Sequence, residues 1–167
     1  SVHAGVIAQK ETGATFGIHP SRTEEGPFNI LAFLKDVDAD LPRTIMDHID
    51  RRIFDGDSLR RLADSGINLE FDMFGFESSF FAQGRDVDHA GDAARLSAIR
   101  LLVDAGHLDQ IVISQDICTK TRQTEHGGHG YGHIFRNILP MMRRRDFTDD
   151  EIDAILVRNP ARLLTLN

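Results

Sequence analysis

The sequence predicts an α/β fold built on a parallel sheet. Three observations carry that expectation. Short apolar runs alternate four times with longer helix-like stretches, the pattern of strands joined by helical crossovers. The runs ATFGI, RTIM, INLEF and QIVIS are nearly continuous in apolar and β-forming residues, as in strands covered on both faces. Each run ends at or near a histidine or an aspartate.

Taken in order, the chain opens in a helix-like stretch that stops at Gly13. The first apolar run then ends at His19 and Pro20, and a polar loop, SRTEEGP, leads to a helix over FNILAFLKDV. The second run, RTIMDHID, ends at His48 and is followed by SLRRLADSG, an amphipathic helix with Gly66 as its stop. The third, INLEFDMFGFE, ends near Asp72 and leads to the helix AARLSAIRLLVDAG, stopped by Gly106. The fourth, QIVISQD, ends in Asp116. A Gly/His-rich loop, HGGHGYGH, follows, then helices over IFRNILPMMRRR and FTDDEIDAILVRN. NPARLLTL predicts a last short helix, with Asn159 as cap and Pro160 in the first turn.

This pattern fits either an open doubly wound sheet or a (β/α)8 barrel. Length favours the open sheet, because 167 residues fall short of the roughly 250 typical of a barrel. No linker divides the chain, so residues 1–167 read as a single domain segment. The formal net charge of −7 argues against a broad nucleic-acid surface. Cys118 is the only cysteine, so no internal disulfide is possible. No apolar run approaches the roughly 18 residues of a membrane span, and SVHAGVIAQKETG lacks the pattern of a secretory signal.

In parallel α/β folds the ligand site lies at the C-terminal ends of the strands. Those ends carry His19, His48, Asp72 and Asp116. Singly, each has a plain use: a turn histidine before proline, a solvated histidine between acids, an aspartate as an N-cap. Together, two imidazoles and carboxylates are the ligand mix that zinc and related ions accept. A G-x-S-x-G elbow, a Walker A loop and a dinucleotide fingerprint are all missing from the sequence.

The stretch SQDICTKTRQTEHGGHGYGHIFRNILPMMRRR, with NPARLL, GIHP, MDHID and LEFDMFG, resembles the phosphotriesterase-related branch of the amidohydrolase superfamily. The resemblance implies a (β/α)8 TIM-type barrel, of which this chain supplies roughly strands five to eight and their helices. The other half of the barrel is expected from the same protein. It implies two divalent metal ions, zinc first among them, with His19 and His48 on one and Asp116 on the other. Asp116 would also take the proton when a metal-bridging hydroxide attacks. The bond cleaved would be an ester, lactone, amide or phosphotriester in a small-molecule substrate. The rival reading is a non-catalytic small-molecule-binding barrel of the same fold. The resemblance further implies a cytoplasmic homodimer with no nucleic-acid or membrane partner.

Arg22 is a candidate for an anionic substrate group, Asp72 for the substrate loop, Phe74 and Phe76 for pocket walls, and Tyr131 for a substrate hydrogen bond. His126, His129 and His133 lie in the glycine-rich loop, which reads as a cover over the site. His89 reads as a surface residue. The family's early H-x-H pair and bridging lysine have no counterpart here. Gln115 stands before Asp116 where His or Asn is usual, which implies altered hydrogen bonding around the site.

Overall fold

The computed structural model describes residues 2–51, 53–78 and 89–166. Four parallel strands form one sheet in the order β1-β2-β3-β4: β1 (Phe16–Ile18), β2 (Thr44–Met46), β3 (Asn68–Phe71) and β4 (Ile111–Ile113). Spatial order follows chain order without reversal. A doubly wound sheet reverses at its switch point, whereas a barrel wall does not. Strand order therefore decides for a barrel wall over the open sheet that length favours.

Between the strands run α1 (Val2–Thr12), α2 (Gly26–Asp36), α3 (Gly56–Ala63) and α4 (Asp92–Asp104). The parallel register aligns Ile18, Met46, Leu69 and Ile111 in one row. All four are buried beneath the helices. Burial of each such side chain is worth roughly 1.5–3 kcal/mol, and this row fastens the helical layer to the wall. The adjacent positions face the other way, and cover there is uneven: Gly17 is exposed, Ile45 and Glu70 are half-buried, and Asn68 and Val112 are buried. Gly66 and Gly106 stop α3 and α4 at φ 88° and 91°, a left-handed conformation that costs a side-chain-bearing residue and costs glycine nothing.

The C-terminal helices α5 (Leu139–Arg143), α6 (Asp149–Asp153) and α7 (Asn159–Leu164) differ from expectation. A π-turn over Ile134–Ile138 runs directly into α5, and another over Ala154–Arg158 joins α6 to α7. A proline follows each π-turn closely, Pro140 and Pro160. Proline lacks an N–H, and its ring clashes with the carbonyl one turn back. The wider turn moves that carbonyl aside and lets the helix continue. Asn159 therefore caps nothing. Its side-chain amide instead donates to the carbonyls of Leu108 and Ile111, at 2.9 and 2.8 Å, and pins the last helix to β4.

Thr148 and Glu151 form a capping box at the start of α6. Glu151 also takes a two-pronged ion pair from Arg100 at 2.9 and 2.8 Å. Those hydrogen bonds push the Glu151 carboxyl from 4.5 down to about 2. A depressed folded pKa stabilises above the unfolded value, and that contribution disappears as pH falls through the folded one. Glu151→Gln is expected to lower the melting temperature at pH 7 and to narrow its gap to wild type between pH 4.5 and about 2. Thermal melts across that window check it.

His89 is buried and stacks on Phe76 with ring centroids 4.4 Å apart, so it is not a surface residue. Phe80 and Phe81, part of the phenylalanine-rich run after β3, lie outside the described residues. Among the described residues no helix is long and apolar enough to cross a membrane.

Candidate active site

β1 ends at Ile18, and His19 is the next residue. β2 ends at Met46, and the Asp47 N–H extends the pairing by donating to the Ile18 carbonyl at 3.0 Å. His48 then turns with φ 57°, a left-handed conformation rare outside glycine and concentrated at functional sites. The turn swings the His48 ring against His19, with Nε2 of one 2.8 Å from Nδ1 of the other. Asp72, the first residue after β3, closes the arrangement from the far side. It accepts the His48 backbone N–H at 3.1 Å and meets Nδ1 at 2.8 Å. Arg51 places Nη2 3.2 Å from His19 Nε2.

Arg51 sets the direction of this chain of contacts. A guanidinium only donates, so His19 Nε2 accepts. The neutral His19 then carries its proton on Nδ1 and donates to His48 Nε2, and His48 Nδ1–H donates to Asp72. That direction needs Asp72 ionised. Burial, joined by Asp50, Glu70 and Asp116, opposes it and pushes the Asp72 carboxyl up to about 9. Hydrogen-bond direction prevails, because a protonated Asp72 would turn both rings around and set an N–H of His19 against an N–H of Arg51. Its neighbours are strained in the same sense. Burial and then Asp72 raise Asp47 to about 6. Burial and then Asp47 raise Glu70 to about 7.

Burial raises each of these carboxyls at the strand ends. A positive ion beside His19 and His48 would relieve them; with the His19 proton moved to Nε2, its Nδ1 and the His48 Nε2 would be nitrogen donors of the type zinc takes. The donor set fits in part. Among the described residues no three of His, Cys, Asp and Glu converge as a ligand group.

The other candidates fall as follows. Asp116 also adopts a left-handed φ, 41°. Its charge bears on Asp47, Asp72 and Arg51, and its carbonyl accepts from Arg122 at 2.7 Å. Asp72, directly after β3, meets the backbone and ring of His48. Phe74 is 1% exposed and packs in the core beneath the Arg95 guanidinium, and it also borders a small cleft with Gln115, Arg122 and His129. Arg22 is exposed on the loop after β1. Tyr131 is exposed, and its carbonyl accepts from the Gln115 amide at 2.8 Å.

The glycine-rich loop is anchored. His133 is buried, its Nε2–H donates to Asp92 at 2.6 Å, and its Nδ1 meets the Asn137 amide at 2.8 Å. Asp92 also accepts the Gly75 N–H and pairs with Arg95. Arg95 pairs in turn with Asp50, which accepts the Met73 N–H. This buried network ties the loop after β4 to the segment following Asp72 and to the turn carrying His48. Sequence reading had singled out none of Arg51, Asp50, Arg95 or Asp92. A spacing signal existed for Arg51 alone: HPSR and HIDR place an arginine three residues after each histidine.

A parallel barrel wall with an imidazole pair and crowded carboxyls on its strand-end face defines a partial barrel of the TIM type, with these side chains at the face where such barrels carry their sites. The chain belongs to the phosphotriesterase family, whose sequence profile matches residues 2–164. It is 45% identical over 166 residues to an N-acetyltaurine hydrolase of Dictyostelium discoideum, covering 99% of this chain and 45% of that relative. Among solved structures it is similar to a resiniferatoxin-binding protein from Rhodobacter sphaeroides, with TM-score 0.86 and 32% identity over 94% of this chain and 43% of that one. A phosphotriesterase homology protein from Escherichia coli, complexed with phosphate in its active site, matches with TM-score 0.84 and 26% identity over 97% of this chain and 52% of that one. The chain thus spans about half the length of the proteins it matches.

Proposed function

We propose that this chain forms part of the active site of a metal-dependent hydrolase that cleaves the amide bond of a small N-acylated substrate. The observation that carries the reading is the convergence of His19 Nδ1 and His48 Nε2 at 2.8 Å on the strand-end face. Similarity to relatives named N-acetyltaurine hydrolase favours the amide over the ester, lactone and phosphotriester. His19 and His48 would hold one of two divalent ions and Asp116 the other, with the remaining ligands coming from outside these residues. When bound, such ions supply a nucleophilic water at neutral pH and polarise the scissile carbonyl. Asp72 fixes the tautomer and angle of His48, the role of a carboxylate behind a ligating histidine. Asp116 accepts the proton of the attacking water and returns it to the leaving amine.

The similarity to a protein named for binding resiniferatoxin supports a second reading, a barrel that binds without chemistry. A pure binder has no use for two facing imidazoles backed by a buried carboxylate. Chelation of the complete protein discriminates between the two. Removal of divalent metal is expected to abolish hydrolysis of N-acetyltaurine, and added zinc to restore it. Undiminished hydrolysis by metal-free protein contradicts the metal-dependent reading, and the lack of any hydrolysis across a panel of amides, lactones and phosphotriesters favours the binder.

A further inference from the structure

We propose that Arg122, braced by the glycine-rich loop, is the positioning residue for Asp116: it fixes the backbone turn from which the Asp116 carboxylate meets the strand-end face. The inference rests on the hydrolase reading above, in which Asp116 moves the proton, and adds the device that aims it. Asp116 lies just past β4 and turns at φ 41°. A left-handed residue other than glycine persists where its surroundings hold it there. Two contacts hold this turn, one from each of its residues. Arg122 Nη1 donates to the Asp116 carbonyl at 2.7 Å. The Gln115 amide donates to the Tyr131 carbonyl at 2.8 Å, which is the altered hydrogen bonding that glutamine brings to this position. Arg122 also directs Nη2 to the Phe74 carbonyl at 3.4 Å and lies 5.4 Å from the centroid of the Phe76 ring. One guanidinium therefore spans the turn after β4 and the segment after β3. Its planar fork reaches two carbonyls at once, which the single ammonium of a lysine does not.

The glycine-rich loop supplies the brace. The Gly130 N–H donates to the Arg122 carbonyl and the Gly128 N–H to the Gln123 carbonyl, both at 2.9 Å. A Cβ on Gly128 would stand 2.2 Å from the Arg122 carbonyl carbon and 2.3 Å from its oxygen. Only glycine lets the two arms of the loop approach this closely, and that approach sets where the Arg122 side chain leaves the backbone. Farther along, His133 is tied to Asp92 and through it to the buried network. Residues 115 and 116 are thus both gripped from the loop, and the loop is anchored in turn. The charge of Asp116 reaches Asp47, Asp72 and Arg51, so the direction in which this carboxylate points matters across the whole face. The loop reads as a cover in sequence; its contacts make it a strut behind Asp116.

The test is a double-mutant cycle on hydrolysis of N-acetyltaurine by the complete protein. Arg122→Met is expected to lower kcat by about 10- to 100-fold, the effect of misplacing a reacting group, and to leave KM within about threefold of wild type. In an Asp116→Asn background the same change is expected to cost no more than about twofold, because the group that Arg122 aims is already gone. Arg122→Lys recovers part of the loss, and it carries the cycle if Arg122→Met does not fold. Gly128→Ala keeps the guanidinium in the chain and lowers kcat in the same way. A second readout needs neither metal nor turnover. Amide hydrogen exchange over residues 114–118 of metal-free protein is expected to quicken in Arg122→Met while exchange in α4 stays as in wild type. An equal loss in both backgrounds assigns Arg122 to structure alone and overturns the inference, as does a kcat within about twofold of wild type. Lack of hydrolysis by wild type across the panel of amides, lactones and phosphotriesters defeats the hydrolase reading instead. Exchange then decides for Arg122 by itself: faster exchange over 114–118 upholds its hold on the turn, and unchanged exchange overturns it.

Discussion

Arg95→Met is expected to destabilise the protein by about 3–5 kcal/mol, the cost of stripping one partner from a buried ion pair. The Arg95 side chain is fully enclosed and holds Asp50 at 2.7 Å and Asp92 at 2.8 Å. Methionine keeps much of the volume and removes the charge. Asp92 retains the Gly75 N–H and His133, so its loss is partial. Asp50 retains backbone N–H groups, those of Met73 and of Asp50 itself, and among the described residues its Oδ1 has no hydrogen-bond partner. Burial raises the Asp50 carboxyl and Arg95 holds it back, so the variant removes the restraint. A carboxyl whose folded pKa is raised above its unfolded value loses stability as pH rises. The deficit of Arg95→Met should therefore shrink as pH falls toward 5. Urea unfolding at pH 7 and pH 5 measures this. Adding Asp50→Asn to the variant should recover part of the loss at pH 7 and flatten the pH dependence. A single variant within about 0.5 kcal/mol of wild type, as at an ordinary surface site, contradicts the role given to this pair.

The same residues show why some of the molecule is legible in its sequence and some is not. Strands and helices follow local pattern: the apolar runs ending at His19, His48 and Asp72 and the stops at Gly66 and Gly106 lie where periodicity and turn chemistry put them. The pairing of His19 with His48 is also legible, because a polar residue closing an apolar run has few places to go in a parallel sheet. Barrel against open sheet is not, since the decision rests on strand order, a property of pairing between distant segments. The buried network is hidden for the same reason. Asp50 and Arg95 are 45 residues apart and Asp92 and His133 are 41, and no local spacing announces either contact. Phe74 is legible only in part. Its position after a strand end suggests a pocket wall, and it does border a small cleft, while its N–H donates to the Ser114 carbonyl and its ring packs under Arg95. Pro160 looks like a helix start because proline favours the first turn, and only the π-turn before it shows how the helix passes through.

Asp116→Asn is expected to lower kcat on N-acetyltaurine by about 10²- to 10⁴-fold, the range for removing a positioned proton acceptor. Asparagine keeps the size of the side chain and tolerates the left-handed backbone that Asp116 adopts. The Arg122 contact to residue 116 is made to its carbonyl and survives the change. Stability should therefore stay within about 0.5 kcal/mol of wild type, which separates a chemical loss from a folding loss. Elemental analysis of the same preparation then distinguishes the two roles proposed for this carboxylate. Lower metal content with lower kcat assigns it to ligation as well as proton transfer. Unchanged metal content with lower kcat leaves proton transfer alone. Activity near wild type removes Asp116 from the chemistry, and the proton would then have to pass through the carboxyls that crowd His48, with Asp47 and Glu70 the groups poised nearest neutrality at about 6 and about 7.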